Sequence, residues 1–97
     1  MLPNTEEIRR RLREARDDLF RRYPIRRLGL FGSFARGEGT PESDIDILVE
    51  FSKPVGFEIV DLAIELEALL GHQVDLVSYG GLREPLRPYV ERDLVYV

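Results

Sequence analysis

The chain of 97 residues predicts an α/β or α+β fold: one domain in which a small sheet is covered by helices. Three observations carry this expectation. Short apolar runs of strand length recur at 28–31, 44–51 and 73–78, and segments with apolar residues at helical spacing lie between and around them. Gly, Pro and Ser clusters separate these segments, with no internal repeat and no low-complexity tract, as expected for alternating strands and helices folded on one core.

Asn4 is a helix cap, and Glu7, three positions on, suits a capping box. Ile8, Leu12, Ala15, Leu19 and Tyr23 then recur at helical spacing until Pro24 pushes its predecessor out of the helical region, so the first helix is read as 5–22. Its other face holds Arg9, Arg10, Arg13, Arg16, Asp17 and Arg21, read first as a solvated face and second as a contact surface for a protein or RNA. No interleaved aromatic pattern favours RNA, and direct nucleic-acid binding is not expected.

The first strand is placed at 26–31, and the polar stretch Gly37 to Ser43 is a loop. The second strand runs from Asp44 to Phe51 and is broken by Ser52-Lys53-Pro54. Phe57 to Leu70 is a helix whose apolar residues cover well over half of its circumference, more than one sheet needs, which leaves a surplus for another chain. Gly71 caps it, and Gln73 to Ser78 is a third strand with Asp75 inside it. Beyond Gly80-Gly81 a short helix over 82–92 is disturbed by Pro85 and Pro88, and Leu94 to Val97 closes as an edge strand.

Composition removes several classes of function. The absence of Cys excludes disulfides, thiolate nucleophiles and Cys-based zinc sites, and fits a reducing compartment. The N-terminus has no apolar signal core, and no apolar run approaches the ~20 residues that span a bilayer, so a cytoplasmic protein with no membrane partner is expected. The net charge of −4 is uneven. Residues 1–27 carry nine Arg against five acids, whereas 28–97 carry five basic residues against thirteen acids. A polyanionic substrate held by the acidic part therefore needs cations or backbone N–H groups.

The candidate chemistry lies in LFGSFARGEGTPESDIDILVEF, residues 30–51. In a strand alternate side chains share a face, so Asp44 and Asp46 project together while Ile45, Ile47 and Val49 fill the other side. Two like charges held side by side raise at least one pKa unless a cation sits between them, and a divalent metal is the simplest such cation. Gly32-Ser33, where a strand gives way to a helix, lets the backbone approach an anion closely. Asp75 is a third carboxylate in an apolar strand. If its strand neighbours the second, three hard oxygen donors meet beside a phosphate cradle, the arrangement of two-metal phosphoryl or nucleotidyl transfer. Each of these residues alone also fits a turn or half of an ion pair. No covalent nucleophile stands out, and His72 is read as a structural or surface residue.

Gly32-Ser33, ten residues, then Asp44-x-Asp46 resembles the signature of nucleotidyltransferases related to DNA polymerase β. The fuller string GSFARGEGTPESDIDILV is similar to the minimal nucleotidyltransferase (MNT) antitoxins, along the whole chain. The resemblance implies a small mixed sheet with flanking helices, ATP as donor and two Mg²⁺ ions. It makes Asp44 and Asp46 the metal-bridging residues, and gives Asp75 to the catalytic metal near the acceptor hydroxyl. Gly32 and Ser33 then hold the β- and γ-phosphates. Arg36, one turn further on, either helps to neutralise phosphate or pairs with Glu38 or Asp44. The resemblance also implies a partner, a helical HEPN ribonuclease toxin neutralised by transfer of AMP to one of its tyrosines. The wide apolar helix and the basic first helix are candidate contact surfaces for that partner or for a homodimer. Two rival readings are an antitoxin that merely occludes its toxin and an enzyme acting on a small hydroxylated molecule.

Overall fold

In a computed structural model, which describes residues 2–97, the first helix (α1, Thr5–Arg22) starts as its cap requires: the Asn4 side chain accepts a hydrogen bond from the Glu7 N–H at 2.8 Å. Ile8, Leu12 and Leu19 line its buried stripe. Most of its arginines pair with acids of the same helix, Arg9 with Glu6, Arg10 with Glu14, Arg11 with Glu7 and Arg21 with Asp18, so the basic face is largely self-neutralised. The solvated-face reading thus gains support over a free basic patch.

Strand β1 (Ile25–Phe31) leads into a single short turn of helix, α2 (Gly32–Ala35), and β2 (Ile45–Phe51) follows the loop. Helix α3 (Glu58–Leu70) ends at Gly71, whose φ of +65° is the left-handed cap that glycine accepts without strain. Then come β3 (Val74–Ser78), two 3₁₀ turns at Tyr79–Gly81 and Glu84–Leu86, α4 (Arg87–Asp93) and β4 (Val95–Tyr96). The helix expected over 82–92 is therefore divided. Pro85 and Pro88 offer no backbone N–H, and regular helix begins only where Pro88 occupies its first turn.

The sheet order is β3-β2-β1-β4, with β1 antiparallel to both β2 and β4 and β2 parallel to β3. This is the mixed sheet with flanking helices that the resemblance implies. One face, through Leu28, Leu30, Ile45, Ile47 and Val49, packs against Ile8, Leu12 and Leu19 of α1 and Leu62, Leu66 and Leu70 of α3. All but Leu19 of these are at most 1 % exposed, and their removal from water is the main stabilising term. The other face is covered only in part: Leu48 packs with Leu82 and Val90, flanked by Phe31, Val77, Tyr79 and Leu94. Gly29 lies on this side, where a Cβ would approach the Leu94 side chain to 2.6 Å. The uncovered end of this second face holds the carboxylates.

Candidate active site

Asp44 stands one residue before β2, not within it as the sequence pattern suggested; the ladder begins at Ile45, whose N–H donates to the Gln73 carbonyl at 2.9 Å. Asp46 lies inside β2 and pairs across the sheet with Phe31 of β1 on one side and Asp75 of β3 on the other. Cross-strand partners project from the same face, so the strand order brings Asp46 and Asp75 side by side. Asp44, two residues before Asp46, joins them at the sheet end, exposed like Asp75, while Asp46 is half-buried.

The electrostatics register this crowding. Burial, then the charge of Asp75, then that of Asp44 push the Asp46 carboxyl up to about 6, against a weaker opposing pull from Arg36. That guanidinium is already committed: its Nε donates to Glu38 at 2.9 Å and its Nη1 to Asp93 at 2.6 Å. Of the two ion pairs weighed for Arg36, the one with Glu38 forms, and Asp93 takes the place considered for Asp44. Three carboxylates thus share one end of the sheet without a protein cation seated among them. Among the described residues no three carboxylate or imidazole groups are drawn tightly enough to form a ready-made ion cage. The donor set itself fits a hard divalent cation, since uncompensated oxygen charge is what such an ion relieves.

Gly32 touches this cluster from the end of β1. Its φ is +76°, and a Cβ there would collide with the Asp46 carboxylate, so only glycine lets the backbone pass this close. The Ser33 carbonyl accepts from the Glu38 N–H at 2.8 Å and anchors the return of the loop. His72 has a structural place: its Nε2–H donates to the Ser43 carbonyl, next to Asp44, and its ring meets Phe34 edge-on with centroids 5.4 Å apart.

A cavity of about 440 Å³ opens beside the carboxylates. Gly32, Arg36 and Asp75 line it together with Val77, Leu82, Leu86 and Tyr89. Sequence reading missed the apolar part of this lining and the role of Asp93, because the segment that supplies them is interrupted by prolines and carries no motif. The pairing of Arg36 with Asp93 spans 57 positions and left no local signal.

A family model described as "Nucleotidyltransferase domain" matches residues 10–96. The chain belongs to the nucleotidyltransferase domain family. The nucleotidyltransferase is 42 % identical over 93 residues to the protein adenylyltransferase MntA of Thermococcus cleftensis, with 95 % of this chain and 94 % of that protein covered. A candidate protein adenylyltransferase of Methanocaldococcus jannaschii, MJ1379, is also 42 % identical, over 95 residues, with 94 % and 95 % covered. Among solved structures, a candidate minimal nucleotidyltransferase superposes with a TM-score of 0.81 at 40 % identity, covering 96 % of this chain and 95 % of that one. A toxin-antitoxin structure with AMP-PNP superposes with a TM-score of 0.69 at 26 % identity, covering 97 % and 72 %. The minimal nucleotidyltransferase fold implied by the motif is thereby established, and with it an enzyme of the nucleotidyltransferase class.

Proposed function

We propose that this nucleotidyltransferase, acting as a single domain over 1–97, is a Mg²⁺-dependent antitoxin that transfers AMP from ATP to a tyrosine hydroxyl of a HEPN ribonuclease toxin and so neutralises it. The observation that carries the reading is the register of Asp46 on Asp75, with Asp44 beside them and the Gly32 backbone against the Asp46 carboxylate. The protein adenylyltransferase name of the Thermococcus relative and the AMP-PNP in the related toxin-antitoxin structure support the nucleotide and the class of partner.

In this reading Asp44, Asp46 and Asp75 hold two Mg²⁺ ions, and Gly32 and Ser33 hold the β- and γ-phosphates. When bound, Mg²⁺ supplies positive charge against the triphosphate and lowers the pKa of the attacking hydroxyl. The acceptor oxygen forms its bond to the α-phosphorus as the bond from that phosphorus to the pyrophosphate oxygen breaks. The hydroxyl proton passes to Asp75, which the resemblance assigns to the neighbourhood of the acceptor hydroxyl. Arg36, held between Glu38 and Asp93 in the cavity lining, would neutralise phosphate by exchanging one of these carboxylates for it.

The exposed stripe of α3, with Val60 and Ile64 and with Phe57 just before the helix, supports a protein contact surface; Phe57 is 85 % exposed. The same stripe also favours the second reading, an antitoxin that acts by occlusion alone. The two separate on ribonuclease activity. Partner pre-incubated with the chain and Mg-ATP, then stripped of it, is expected to stay inactive. With an Asp44→Asn, Asp46→Asn double variant it is expected to recover on stripping; recovery after the wild-type treatment would favour occlusion.

A further inference from the structure

The cavity beside the carboxylates has a lining of two kinds. Gly32, Arg36 and Asp75 belong to the proposed phosphate and metal chemistry, whereas Val77, Leu82, Leu86, Tyr89 and Val90 in the same lining are apolar or aromatic. Leu86 and Tyr89 are 54 % and 64 % exposed, a poor arrangement for a surface that meets only water. At about 440 Å³ the space falls within the roughly 300–1,000 Å³ of small-molecule sites.

Tethering identifies the occupant. A nucleotide whose phosphates lie along Gly32, with its α-phosphorus facing Asp46 and Asp75, carries sugar and base only a few bonds away. Two other cavities among the described residues are unsuitable. One lies at the far end of β2, around Phe51 to Val55, and the other lies behind Phe34 against Leu2 and Asn4; neither borders any of the three carboxylates. The cavity under α4 borders Asp75 and Gly32.

We propose that this cavity seats the nucleoside of the donor nucleotide, with a purine stacked on the Tyr89 ring between Leu82 and Leu86. The inference rests on the nucleotidyl-transfer reading and makes Tyr89 a specificity-determining residue within it. The Arg92 guanidinium lies 5.8 Å from the Tyr89 ring centroid and stiffens the platform through a cation–π contact. Base identity is then read by stacking area more than by hydrogen bonds, because the walls carry no amide side chain and Arg36 and Asp93 are already paired with each other. ATP and GTP therefore bind alike, and CTP more weakly.

Calorimetric titration with two probes, Mg-ATP and Mg-tripolyphosphate, separates this inference from the reading beneath it. Tyr89→Ala is expected to weaken Mg-ATP binding at least about fivefold. Tyr89→Phe, which keeps the ring, stays near wild type, and tripolyphosphate binds all three proteins equally. Wild type that binds tripolyphosphate, with a Tyr89→Ala variant that keeps full affinity for Mg-ATP, overturns the nucleoside seat and leaves nucleotidyl transfer standing. If that variant also transfers AMP more slowly, the cavity belongs to the acceptor instead. Equal loss of both probes in Tyr89→Ala overturns the inference in favour of a purely structural role, and wild type that binds neither probe removes the underlying reading.

Discussion

Asp46 is the residue on which the site's electrostatics turn. Its carboxyl, pushed up to about 6 by burial and by the charges of Asp75 and Asp44, is more easily protonated in the folded chain than in the unfolded one. A folded pKa above the unfolded value means that this group's contribution to stability is complete below about pH 4 and is lost as pH rises through 6. Asp46→Asn is therefore expected to stabilise the metal-free protein by about 1–2 kcal/mol at pH 8 and by close to nothing at pH 3.5. Thermal unfolding in chelator at both pH values measures this, and destabilisation at pH 8 would show that the charge is compensated within the protein. The nearness of Asp44 to Asp46, two residues apart, was legible in the sequence, although Asp44 precedes the strand in which the alternation placed it. The company of Asp75 was not, since it depends on which strands become neighbours. The partner of Arg36 was legible only for Glu38, two residues away; Asp93 arrives by tertiary folding.

Helix α3 has a buried apolar side and an exposed apolar side. Leu66 is fully buried between α1 and the sheet, whereas Ile64, two residues earlier, is 59 % exposed. Leu66→Ala should cost about 2–5 kcal/mol, and Ile64→Ala should stay within about 0.5 kcal/mol, both by denaturant unfolding. If Ile64→Ala alone unfolded the chain, the exposed stripe would be core and not contact surface. The helix was legible as apolar over more than half of its circumference, and the structure assigns the surplus to solvent. Its packing on α1 is fixed at the edge by Glu65, which accepts from Arg22 at 2.6 Å and from the Tyr23 hydroxyl. Those bonds hold the Glu65 carboxyl below the usual range, Arg22 first and Tyr23 second, while burial and then Glu65 push the Tyr23 hydroxyl up to about 12. The division of the segment over 82–92 followed from its prolines, but the cavity that the segment roofs did not. A roof depends on where the element lies over the sheet, and no spacing rule encodes that.

At the scale of the molecule, the order β3-β2-β1-β4 leaves one face of the sheet sealed by α1 and α3 and the other open at its carboxylate end. The sealed face gives β2 a rigid apolar underside, and that rigidity allows Asp46 to be held half-buried beside a like charge. At that open end lies the cavity of about 440 Å³ lined by Gly32, Asp75 and residues of α4. In the proposed function a second protein brings the hydroxyl to the carboxylates. Intact-mass measurement of a HEPN partner after incubation with the chain and Mg-ATP tests this most directly. The partner is expected to gain whole AMP units with the wild-type chain and none with Asp46→Asn, although both chains bind it. A partner that binds the wild-type chain, retains its original mass and is still inhibited would contradict the proposed function.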